Sequence, residues 1–144
     1  MSLRESELGE GDKLITIIAR WEQAQMPPIN EYQLWRQVKG AFRVQRMVFV
    51  PITPGMGDFH LEQYATMEEA LAACSGERVF LEPKGTKGMA DIPQGDIVLI
   101  TGDTDHSNME HAQADETYKV KTDMPTKLYG CEAAAIALAI RYGQ

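Results

Sequence analysis

The 144-residue chain carries 14 basic and 21 acidic side chains, a formal charge of −7, with 44% hydrophobic and 24% charged residues. That size and balance fit one globular domain with a layered core. The charge excludes an extended phosphate-binding surface, which needs clustered Lys and Arg. No apolar run nears the roughly 18–20 residues that span a bilayer, so no membrane partner is expected.

Residues 1–12 are polar and lack the apolar stretch of a signal peptide. They are expected to form a flexible leader ahead of a single domain over 13–144. Cys74 and Cys131 stand far apart, giving neither a disulfide framework nor a zinc spacing. Both read as small buried residues of a cytoplasmic protein.

In chain order, KLITIIARW (13–21) is a β-branched run that predicts a buried strand. Pro27, Pro28 and Asn30 mark a loop and the start of a helix. EYQLWRQVKGAF (31–42) places Leu34, Val38, Ala41 and Phe42 near helical spacing. Arg36, Lys39, Arg43 and Arg46 fall within the same short stretch, and positions 36, 39 and 43 share a helix face. A solvated face and a local anion site both remain open for them. MVFVPI (47–52) is a second strand, and TPGMGDFH a Gly/Pro loop. MEEALAAC (67–74) is a helix with Thr66 and Glu69 in the capping-box pattern.

ERVFLEP predicts a third strand and DIVLIT a fourth, joined by KGTKGMADIPQG. SNMEHAQA suits a short helix and YKVK a fifth strand. KLYGCEAAAIALAIRYG (127–143) closes the chain as an Ala-rich helix with apolar residues on more than one face, which predicts wide burial. Alternating strands and helices predict an α/β fold, a mostly parallel sheet sandwiched by helices.

In such sheets ligands bind beyond the carboxyl ends of the strands. Three loops leave those ends here: PKGTKG, GDTDHSN and TDMPTKLYG. A dinucleotide G-x-G-x-x-G after the first strand and a P-loop are both absent. Asp103, Asp105 and His106 stand close together, but no second ligand cluster joins them, so no metal is expected. No serine sits on a nucleophile elbow, and neither cysteine has a base nearby in sequence.

Taken in order, these loops resemble the SPOUT superfamily of RNA methyltransferases, and within it the small tRNA 2′-O-methyltransferases. RVFLEPKGTKGMADIPQGDIVLITG is similar to the family's strand, Lys-Gly-Thr loop and next strand ending in glycine; DMPTKLYGCEAAAIALAI is similar to its proline loop and Ala-rich last helix. The resemblance covers about residues 13 to 142 at weak identity. It implies an α/β knot, a C-terminal trefoil that periodicity alone would never suggest.

It further implies S-adenosylmethionine as cofactor, held by Leu81, Gly102, Met124, Leu128 and Gly130, chiefly through main chain. A side chain at Gly102 or Gly130 would intrude on that cofactor. The implied substrate is RNA, tRNA ahead of rRNA, methylated on a ribose 2′-hydroxyl. Asn30 and Arg36 keep the spacing of the family's first motif and would orient the substrate and stabilise developing charge. The family also implies a homodimer through the first and last helices, and Ile136, Leu138, Ile140 and Tyr142 offer apolar surface for one. This chain departs from the pattern at Thr104, where glutamate is usual, and at Lys127, Tyr129 and Cys131, where Ser, Asn and Ser are usual. Two rivals therefore stay open: a knot-fold protein that has lost the chemistry, and an unknotted flavodoxin-like binding domain.

Overall fold

Ile15–Arg20 (β1) and Ile97–Thr101 (β5) are rich in β-branched residues, and they form the centre of the sheet. Each is flanked by a strand on both sides and covered on both faces, which is why neither shows hydrophobic alternation. Around them lie Arg46–Val50 (β2), Glu62–Gln63 (β3), Glu77–Glu82 (β4) and Thr117–Lys119 (β6), in the order β3-β2-β1-β5-β4-β6. Every pairing is parallel. The computed structural model describes residues 14–22, 26–56, 59–103, 108–112, 116–119 and 128–143.

Among the described residues three α-helices cover the sheet: Pro28–Ala41 (α1), Met67–Ala73 (α2) and Gly130–Tyr142 (α3). Side chains alternate between the two faces of each strand. Ile15, Ile17, Ala19 and Trp21 join Phe49, Leu81 and Leu99 beneath Trp35 and Val38 of α1 and Ala134, Ala137 and Leu138 of α3. Ile18, Val48, Phe80, Val98 and Ile100 face the other way, onto Met67, Ala70 and Leu71 of α2. Fully burying one such side chain contributes about 1.5–3 kcal/mol, so these two layers fix where the strand ends sit.

The helix ends follow from local chemistry. Pro28 opens α1, its φ already suited to a helix. Thr66 caps α2, its hydroxyl accepting from the Glu69 N–H at 3.2 Å. Glu69 answers through the Thr66 hydroxyl (3.1 Å) rather than through the backbone N–H that a full capping box would use. At the start of α3 the Tyr129 N–H donates to Glu132 Oε1 at 2.8 Å. At its end, Arg141 is buried and donates from Nε to Pro93 O (2.8 Å) and from Nη2 to Gly95 O (2.7 Å), tying the helix to the loop that feeds β5.

Four expectations need correction. β3 was not expected, and the described part of SNMEHAQA, residues 108–112, holds a 3-10 turn at Met109–His111 in place of the expected short helix. The last helix begins at Gly130, so residues 128 and 129 precede it. Its burial follows one broad stripe through Ala133, Ala134, Ala137, Leu138 and Arg141, while Ile140 and Tyr142 stay exposed. Leu138 is thus spent in the core and is not available to a partner. The leader over 1–12 and the segment 120–127, on which any threading of the chain would depend, lie outside the described residues.

Candidate active site at the carboxyl ends of β1 and β5

The chain runs outward from β1 to β2 and β3, then crosses to β4 and returns to place β5 beside β1. The strand order reverses between β1 and β5, and in open parallel sheets that reversal leaves a ligand crevice at the carboxyl ends. Here the ends are Arg20 and Trp21 on one strand and Thr101 and Gly102 on the other, with the N-terminus of α3 set across them.

The approach of α3 is tight. A Cβ on Gly130 would lie 2.8 Å from Thr101 Oγ1 and 3.2 Å from the Gly102 carbonyl oxygen. Only glycine lets the helix come this close. A side chain there would therefore meet the protein's own Thr101 side chain and Gly102 carbonyl.

Carboxylates gather at the same place. Glu22 follows β1 directly and is 1% exposed, as is Glu31 in the first turn of α1. Glu22 Oε1 accepts from the Gly130 N–H at 3.4 Å. Glu31 Oε1 accepts from the Glu22 N–H at 2.7 Å, and its Oε2 from Trp35 Nε1 at 3.1 Å. Burial pushes the Glu31 carboxyl up to about 7; the two hydrogen bonds pull it back, and the negative charges of Glu22 and Asp103 push it further. The site is therefore acidic, and its buried Glu31 is only part-ionised near neutrality.

Two buried polar atoms here have no hydrogen-bond partner among the described residues: Thr101 Oγ1 and Trp21 Nε1. Leaving such a group unpaired costs about 1–3 kcal/mol, so each is an unused contact at the end of a central strand. The opposite face of the sheet repeats the theme. Arg20 Nη2 donates to Asn108 Oδ1 (3.1 Å) and the Asn108 N–H to Glu82 Oε1 (2.7 Å), while Arg20 Nε and Asn108 Nδ2 are unpaired. Covalent catalysis by cysteine does not fit: burial, then the Glu31 and Glu132 charges, push the Cys131 thiol up to about 11.

The structure brings three of the expected cofactor residues to this end of the sheet. Leu81 is buried and pairs in register with Thr101, Gly102 follows it, and Gly130 packs on both. Leu128, half-buried, stands two residues before Gly130. Met124 lies outside the described residues. Asn30 and Arg36 are both exposed and do not share a face: six residues at about 100° each leave them roughly 120° apart around α1. The side of α1 facing the crevice carries Glu31 and Trp35 instead.

Arg36 lies in a separate groove of about 340 Å³ between α1 and the β2–β3 edge, with Tyr32, Trp35, Lys39, Phe49 and Phe59 among its walls. Trp35 touches both places, lining the groove while its ring N–H serves Glu31. The four-residue basic cluster is divided: Arg46 is bound to Glu62 and to the Ala73 carbonyl, and Arg43 sits past the helix end at φ 55°.

Sequence reasoning missed Glu22, Glu31, Thr101 and Trp21. A charged residue directly after an apolar strand, as Glu22 is, was the one available signal. Glu31 reads in sequence as an ordinary acidic residue of a helix's first turn.

No family model matches the chain, and no curated protein matches it. Solved structures do. One is a putative RNA methyltransferase from Bacillus anthracis, at TM-score 0.65 and 15% identity over 90% of this chain and 92% of that one. A second, from work on 2-OH methylation of C/U34 on tRNA, matches at TM-score 0.68 and 13% identity over 100% and 98%. A third is the SpoU methyltransferase AviRb from Streptomyces viridochromogenes in complex with AdoMet, at TM-score 0.62 and 17% identity over 90% of this chain and 57% of that one. The six-stranded parallel sheet with its three helices is thus the fold of RNA methyltransferases of the SpoU type.

Proposed function

We propose that the protein is an S-adenosylmethionine-dependent RNA methyltransferase acting on a ribose 2′-hydroxyl, tRNA being the preferred substrate class. The observation that carries the reading is the pair of unpaired polar atoms, Thr101 Oγ1 and Trp21 Nε1, buried beside three carboxylates at the strand reversal. The residues fit the cofactor: its sulfonium and ammonium are cationic, and buried Glu22, half-buried Asp103 and the ionised fraction of Glu31 offer the opposite charge. Two solved structures of this fold are AdoMet-bound methyltransferases, which supports S-adenosylmethionine as the cofactor.

The cofactor supplies an electrophilic methyl group when bound. The protein's part is positioning and exclusion of water. Thr101 Oγ1 donates or accepts one hydrogen bond. Leu81, Gly102, Met124, Leu128 and Gly130 shape the pocket with main chain and apolar surface. Asn30 orients the substrate from the first turn of α1, while Arg36, on the groove side of Trp35, meets negative charge on the RNA outside the crevice. The reading carries with it the C-terminal trefoil knot, the cytoplasmic setting and the homodimer that the resemblance implies. Ile140 and Tyr142 of α3, with Ile29 and Leu34 of α1, are the exposed apolar residues available to that interface.

The test is transfer of isotopically labelled methyl from S-adenosylmethionine to bulk tRNA and rRNA, followed by nuclease digestion and mass spectrometry. Label in a 2′-O-methyl nucleoside is the expected result. Binding of cofactor with no label in any RNA would instead support the non-catalytic reading. One observation favours that second reading: α1 turns Glu31 and Trp35, not a basic residue, toward the crevice.

A further inference from the structure

The groove between α1 and the β2–β3 edge is not accounted for by a cofactor crevice, because it opens on the other side of Trp35. Its volume of about 340 Å³ sits at the small end of the range of ligand pockets, about 300–1,000 Å³. That suits one nucleotide and is too narrow for a duplex. Trp35 and Phe49, each 1% exposed, form its floor.

Its rim combines two chemistries. Tyr32 and Phe59 lie with ring centroids 5.2 Å apart at 55°, and Phe59 remains 40% exposed. The Arg36 guanidinium sits 5.9 Å from the centroid of the Tyr32 ring. Arg46, the third cation on this wall, is neutralised by Glu62. Arg36 and Lys39 are exposed and form no ion pair with any described residue, in a chain whose net charge is −7. Two exposed cations beside an exposed aromatic face are the parts from which single-stranded nucleic acid is held: phosphate on the cations, base on the ring.

We infer that this groove holds one unpaired nucleotide of the RNA substrate, its base against Phe59 and Tyr32 and its phosphates on Arg36 and Lys39. The inference rests on the RNA reading above and adds where the strand is gripped. The flat, solvent-facing ring implies little sequence preference, since every base has a face to stack.

The test titrates a fluorescein-labelled oligouridylate of about eight nucleotides, within the range of known single-strand sites, against wild type, Phe59→Ala and the double variant Arg36→Ala/Lys39→Ala, over a series of salt concentrations. Losing two phosphate contacts should lower the slope of log affinity against log salt by about 1.4. Phe59→Ala should keep the slope and weaken binding by about 5- to 150-fold. Should Phe59→Ala fail to fold, the salt slope of the double variant decides, since both residues are exposed. Wild-type binding with no change in either variant overturns the inference. So does a change of mass in sedimentation for either variant, which would make the groove an interface between copies. Titration of wild type with S-adenosylmethionine separates the two readings. Cofactor binding without oligonucleotide binding removes the groove alone; oligonucleotide binding without cofactor removes the methyltransferase reading alone.

Discussion

The two sides of Trp35 present opposite chemistry. Toward β1 and α3 its ring N–H serves Glu31, in a buried place where carboxylates converge and polar atoms go unpaired. Toward β2 and β3 its ring floors an open groove with two exposed cations and two aromatic rings. One side suits a small cation enclosed by the protein, the other an anionic strand lying on it. A net charge of −7 describes neither, because it averages over a molecule whose functional charges are segregated.

The sharpest way to break the comparison is through Glu31. Its folded value of about 7 exceeds the ordinary 4.5, so the folded chain binds the proton more tightly than the unfolded one. Stability should be fully present below about pH 4.5 and fall as pH rises to about 7, by on the order of 3 kcal/mol. Glu31→Gln should flatten that slope in denaturant titrations while losing one hydrogen bond, about 1 kcal/mol, at low pH. An unchanged pH slope would mean that the carboxyl is not held protonated by burial.

Gly130→Val attacks the same side by sterics. Its Cβ meets Thr101 and the Gly102 carbonyl, so a loss of about 1–3 kcal/mol is expected in thermal or chemical unfolding, with or without cofactor. Thr101→Val should do the reverse for stability. Removing an unpaired buried hydroxyl should raise it by up to about 1 kcal/mol, while weakening S-adenosylmethionine binding. A variant that is less stable without cofactor would show that the hydroxyl already has a partner. Thr66→Ala lies in neither region and serves as a control: loss of the α2 cap should cost about 1 kcal/mol and leave both titrations unchanged.

The central strands and both long helices were legible because burial on two faces leaves unbroken apolar runs, and because Pro28, Thr66 and the Ala-rich tail mark helix ends. β3 was not, because Glu62 and Gln63 form a two-residue edge strand held by side chains: Arg46 on Glu62, and the Thr53 N–H on Gln63 Oε1 at 2.9 Å. Gly102 and Gly130 were legible as residues at the carboxyl ends of the strands, where the structure brings their backbones together. Glu22 and Glu31 could not be found that way. Their burial depends on contacts between residues 9 and 108 positions apart, which no local pattern encodes. Arg36 shows the converse: spacing placed it beside Asn30 in one motif, while helix geometry turns it to the other side of Trp35.

Calorimetric titration of the protein with S-adenosylmethionine tests the central claim most directly. Saturable heat at one cofactor per chain, diminished in Thr101→Val, is the predicted result. No heat at concentrations on the order of 1 mM, where even binding of about −4 kcal/mol would register, would contradict it and leave a methyltransferase fold without the chemistry.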